Sequence, residues 1–203
     1  MKKTLTLVEI IIAIVLLAVI VLSASAFDFV SRGFLYSADR KAKVLNEFTY
    51  VIDHFSKYIP LATGHMDLND PNSQGLKVVG TTIIIRADIS DGITRAPIGT
   101  PDLSDDLWVS YRVNGNNLEF CSNFDKSAGT CNIGWEILTD RFIDLGFSIS
   151  DPATNSGIVD ITNLALRYDP TIAADSRDNP EVTIVDTGGS PTLSFSSSSH
   201  SWR

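Results

Sequence analysis

Residues 5–27 form a nearly unbroken apolar run, and its only charged side chain is the carboxylate of Glu9 at the entrance. An acidic group in a membrane-inserting segment costs roughly 3 kcal/mol on insertion scales, so an ordinary anchor would not carry one. From residue 10 to residue 27 the run is free of charge and long enough to cross a bilayer, which puts a transmembrane segment at about residues 8–28. Apolar side chains then continue at helical spacing. Val30, Phe34, Ala38, Leu45, Phe48, Ile52, Phe55 and Ile59 fall at steps of three and four, or sums of these, and so share one helical face. No proline occurs before Pro60, and Gly33 is the one weak interior position, at a cost near 1 kcal/mol relative to Ala. One helix is therefore expected over residues 5–59, about 80 Å long at 1.5 Å per residue. Its first half is apolar, and its second half is amphipathic and needs a partner surface.

Around Glu9 the chain reads Lys2-Lys3, then Thr4, then Leu5-Thr6-Leu7-Val8-Glu9 followed by Ile, Val and Leu. Over residues 2 to about 27 this resembles the type IV pilin family, which includes the pseudopilins of type II secretion systems. The family pattern is a short basic leader, a small residue before the cut, then Phe-Thr-Leu-x-Glu and an apolar stretch. Thr4 stands where that pattern usually has Gly, and Leu5 where it usually has Phe. The resemblance implies a leader of residues 1–4, cleavage between Thr4 and Leu5 by a prepilin peptidase, and N-methylation of Leu5. It also implies an assembly role for Glu9, the fifth residue of the processed chain, whose carboxylate would be neutralised by the free amine of Leu5 on a neighbouring subunit. The pair would set axial register, which helix packing alone specifies poorly. The partners implied are other pilin or pseudopilin subunits, the peptidase, an inner-membrane assembly platform and the lipid bilayer. The implied location is the inner membrane, single-pass with a periplasmic head, and then the pilus or pseudopilus. The large head, the lack of a helix-kinking proline near the end of the apolar stretch and the tail over residues 196–203 resemble minor rather than major subunits.

The same residues also fit a secretory signal peptide, with Met1-Lys2-Lys3 as its basic region, residues 10–22 as its core and Ala24-Ser25-Ala26 as a small-x-small cleavage site. A soluble periplasmic or secreted binding domain beginning at Phe27 would result. Glu9 and the helical periodicity that runs through Ala26 oppose this alternative.

After Pro60 the chain changes character, and residues 61–203 are expected to form a β-rich head. Val78 to Arg86 reads as a buried strand, and residues 88–106 as a connector rich in Asp, Gly and Pro. Leu107-Trp108-Val109-Ser110-Tyr111-Arg112-Val113 alternates at period two, and Asn114-Gly115 turns it into Leu118-Glu119-Phe120. Further strands are expected over residues 133–138, 142–150, 158–168, 181–185 and 192–197. The fold class is α+β, with an antiparallel sheet wrapped on the amphipathic half of the helix. Cys121 and Cys131, in a turn-rich stretch, are expected to form a disulfide in an exported domain.

The formal net charge is -8, and loss of Lys2 and Lys3 would leave 14 basic against 24 acidic side chains. Such a balance argues against general nucleic-acid binding, which needs Lys and Arg on phosphates. Arg40, Lys41 and Lys43 form a short cluster on the helix, suited to anionic lipid or, better, to a solvated or subunit-pairing face. Catalysis finds no motif. His54, His65 and His200 lie in the helix, a loop and the tail, with His54 read as exposed beside Asp53. No cofactor is expected. Two acidic loops, Asp67, Asn69, Asp70 and Asn72, and Asp169, Asp175, Asp178 and Asn179, are weak calcium candidates, since Asp and Asn are also what ordinary turns prefer.

Overall fold

The computed structural model describes residues 6–62, 75–87, 89, 106–150, 158–184 and 192–196. Helix α1 spans Leu7–Tyr58, 52 residues, and passes directly into a 3-10 turn at Ile59–Leu61. At 1.5 Å per residue the α-helix is about 78 Å long. Pro60 closes it because a proline offers no N–H and clashes with the preceding turn. The single long helix expected from the periodicity is therefore present, to within two residues at each end.

Two antiparallel sheets follow. Strands β1 (Leu76–Val79), β2 (Thr82–Ala87), β3 (Leu107–Asn114), β4 (Asn117–Cys121) and β7 (Glu136–Thr139) form a five-stranded sheet in the order β1-β2-β3-β4-β7. Between β4 and β7, the short β5 (Phe124–Asp125) and β6 (Thr130–Cys131) pair as a ribbon. Strands β8 (Phe142–Ser150), β9 (Ile158–Arg167), β10 (Glu181–Thr183) and β11 (Thr192–Ser196) form the second sheet. Strand β8 runs along one edge of β9, while β10 and β11 lie end to end along the other, opposite residues 165–167 and 158–162 respectively.

Three local expectations are corrected. The strand expected over residues 78–86 is a hairpin, because Gly80 takes φ 61 and reverses the chain with Thr81, pairing Val78 with Ile83. A left-handed φ costs glycine little. The β3–β4 turn holds Gly115 and Asn116 rather than Asn114 and Gly115, since Asn114 and Asn117 are still partners. Gly115, also at φ 61, occupies the first turn position. Finally, the head carries two main sheets, not one.

Both sheets close on one core with the upper half of α1. Val44, Phe48, Val51, Phe55 and Tyr58 are buried at steps of four and three, against Ile83, Ile85, Tyr111, Phe120, Phe147 and Leu164. Each such side chain contributes roughly 1.5 to 3 kcal/mol by leaving water. The stripe is displaced from the one expected. Leu45 is 50% exposed and Ile52 only half-buried, while Val30 and Phe34 lie below the head, exposed. Steps of three and four fit two neighbouring tracks on a helix, and the sheets choose the track through Val44 and Val51.

Candidate functional site

The helix entrance is built by Thr6 and Glu9. Thr6 caps α1: its Oγ1 accepts the Glu9 N–H at 3.4 Å, and Glu9 Oε2 accepts the Thr6 N–H at 2.8 Å and its hydroxyl at 3.0 Å. This reciprocal pair is a capping box, which satisfies backbone donors left open at a helix start. The signal is present in Thr6-Leu7-Val8-Glu9, a Thr-x-x-Glu spacing, which the membrane-cost and assembly readings of Glu9 did not use. Both bonds use Oε2; among the described residues, none goes to Oε1. Thr4 and Leu5, the expected processing residues, lie outside the described residues.

Above Glu9 the helix presents apolar side chains on every side. Phe27 is 75% exposed, and Ile10, Ile14, Leu17 and Val21 are exposed with it. It is the one helix among the described residues long and apolar enough to cross a membrane. Ser23 and Ser25 do not break this character, because their hydroxyls donate to the carbonyls of Val19 and Val21 within the helix.

Farther up, the head grips α1 through polar contacts. Arg141 donates to Glu47 at 2.7 Å and to the carbonyl of Tyr168, and Thr139 donates to Glu47 at 2.8 Å. Arg40 donates to the Asp178 carbonyl at 2.6 Å and stacks on the Tyr168 ring, 5.4 Å from its centroid. The partners joined across α1 and the head are 92 to 138 positions apart in sequence, so no local pattern announced them. They also revise the basic cluster on the helix: Arg40 is paired with Asp178 and Lys43 with Asp39, and Lys41 stands outside these pairs.

Of the two acidic loops, the one with Asp169, Asp175, Asp178 and Asn179 lies among the described residues. The Asp169 carboxylate accepts the hydroxyl and N–H of Thr171, which holds it below the usual carboxylate range. Asp175 is lowered likewise by the N–H groups of Asp178 and Arg177. Asn179, buried, donates to the carbonyls of Asp169, Ile172 and Ala173. The loop is thus laced by its own side chains, and no group of three or more His, Cys, Asp or Glu among the described residues could hold a metal. Asp67, Asn69, Asp70 and Asn72 lie outside the described residues, as do His65 and His200.

His54 is also corrected. It is buried against the sheet rather than exposed beside Asp53, with Nδ1 2.9 Å from the Tyr111 hydroxyl and its ring among Tyr58, Tyr111 and Phe120. One residue of helix, about 100° of turn, separates it from the exposed Asp53. The expected disulfide between Cys121 and Cys131 is formed, with a Cα separation of 5.9 Å. It ties β4 to the β5–β6 ribbon over a small outer cluster of Ile84 and Phe124, flanked by Trp108 and Trp135.

Comparison with protein-family models, with characterised proteins and with solved structures found no match.

Proposed function

We propose that this protein is a minor pilin or minor pseudopilin, a structural rather than catalytic subunit that joins a type IV pilus or a type II secretion pseudopilus through its N-terminal helix. The observation that carries the reading is one unbroken helix with two surfaces: an apolar half left bare, entered through a carboxylate, and a half seated in a β-sheet head. A bare apolar rod of this length suits a bilayer first and a bundle of like rods afterwards. In the bundle Glu9 meets a cation, the amine of Leu5 on the next subunit, through the carboxylate oxygen that the capping box leaves open. The head then stands on the periplasmic side of the inner membrane until assembly carries it outward.

The capping box makes a sharper test possible. Glu9→Gln keeps an N3 side chain that can complete the capping box, whereas Glu9→Ala removes the charge and the Glu9 half of the box and leaves the Thr6 cap. Both variants are expected to insert in the membrane, and both are expected to fail to co-fractionate with sheared fibres. Normal incorporation of Glu9→Gln would remove the charge-pairing role and leave Glu9 as a cap. N-terminal sequencing decides the alternative, in which signal peptidase releases a soluble domain after Ala26. A product starting at Leu5 supports the filament reading, and one starting at Phe27 overturns it.

A further inference from the structure

We infer that the head's 168–180 loop docks on the lipid headgroup layer around the helix, making contact through Arg177 and Ile172, a placement that rests on residues 8–28 spanning the membrane. The direction of the loop comes from strand register. Residues 158–162 of β9 pair with β11, and β11 packs on the 3-10 turn at Ile59–Leu61, at the upper end of the helix. The other end of β9 leads into Tyr168, whose ring lies beside Arg40 and Arg141. Strand β9 therefore descends along α1 toward the apolar half, and the loop continues the descent. Asp178 is held at the level of Arg40, and Arg177 reaches lower still. Its guanidinium lies so close to Gly33 that a Cβ there would stand 2.7 Å from Nη2. Bare backbone at Gly33 gives the guanidinium its seat.

Depth follows from helix rise. Six residues separate Phe27, the end of the apolar run, from Gly33, a distance of about 9 Å at 1.5 Å per residue. A headgroup layer is about 5 to 8 Å thick on each side of the hydrocarbon, so Arg177 sits at its outer margin. The helix between these levels still exposes Phe29 and Val30, with Phe34, Leu35 and Tyr36 just above, side chains suited to an interfacial belt rather than to water.

Charge narrows the contact. Arg32 pairs with Asp28, Lys43 with Asp39 and Arg40 with Asp178, while Asp169 and Asp175 cap turns inside the loop. Residues 171–178 are all exposed, and among them Arg177 is the cation and Ile172, 54% exposed, the large apolar side chain. A guanidinium matches phosphate oxygens in a two-pronged geometry, and Ile172 adds an apolar contact with the outer headgroup layer rather than with the acyl chains.

The test uses the full chain in vesicles of phosphatidylethanolamine and phosphatidylglycerol. The native cysteines are joined, so a nitroxide goes to a single new thiol in each of three variants. Ile172→Cys reports the loop, Phe27→Cys the span, and Ala128→Cys, on the β5–β6 ribbon, the solvent. Docking predicts that a water-soluble nickel reagent reaches the 172 label at least about two-fold less than the 128 label. Adding Arg177→Glu should bring the 172 label to the level of the 128 label while the 27 label stays shielded. Equal exposure at 172 and 128 with a shielded 27 label overturns the docking but spares the span. An exposed 27 label overturns both. Shielding at 172 that survives Arg177→Glu overturns the contact through the arginine.

Discussion

The two halves of α1 share one backbone and differ in what surrounds them. From Ile10 to Phe27 the side chains are almost all apolar on every side, and none of the described residues covers them. Above residue 40 only the track through Val44, Phe48, Val51 and Phe55 is apolar and buried, while Lys41, Asn46, Asp53 and Lys57 face out. Hydroxyls are handled identically in both halves: Ser23 and Ser25 below, and Thr49 and Ser56 above, each donate to the carbonyl four residues back. The lower half has to satisfy its polar atoms internally if lipid surrounds it. The upper half does so merely as a helix habit. What distinguishes the halves is thus the breadth of the apolar face, and breadth reports the solvent.

The contrast can be broken most forcefully at Phe55. Phe55→Ala should destabilise the head by about 3 to 5 kcal/mol in denaturant titration, because Phe55 is fully buried between Tyr111 and Phe147. Leu17→Ala, in the bare half, should leave head unfolding unchanged; an equal loss from both would mean that the lower half is also packed. A smaller effect is expected from Cys121→Ser with Cys131→Ser. Opening a loop of that length should cost about 2 to 3 kcal/mol, read as a lower midpoint for the head with membrane insertion intact. The smallest concerns the 168–180 loop. The folded-state values of Asp169 and Asp175 lie below the ordinary aspartate value of 3.8, so their stabilisation is present above that pH and is lost as pH falls through the lower folded values. Amide protection at Thr171, Arg177 and Asp178 should fall there before that of the β8–β9 pairing.

Much of the architecture could be read from the chain because its strongest signals are local. The helix follows from an uninterrupted period and from Pro60, and β3 and β4 from alternation around Gly115. β8 falls on the expected residues, and β9 ends one residue short of them. The disulfide followed from two cysteines and an exported context. What escaped was decided by tertiary choice. Two helical tracks fitted the same spacing, and only the sheets could select Val44 over Leu45. His54 looked exposed because its neighbour Asp53 is, although the helix turns it toward Tyr111 and Phe120. At the candidate site the Thr6–Glu9 box was local and legible. The meeting of Arg177 with Gly33 joins positions far apart in sequence, and no spacing rule connects them.

The backbone ladder of α1 continues from Leu7 to Tyr58 without a proline, and kinks in helices almost always need a proline, a glycine–serine pair or an inserted group. Such a shaft has little slack. A twist or thrust delivered at its greasy foot arrives at the β-rich cap nearly undiminished, and the clamps at Arg40 and Glu47 keep the cap from lagging behind. A turn of the apolar half is therefore passed on to the head rather than absorbed along the way, as a hand on an oar moves its blade.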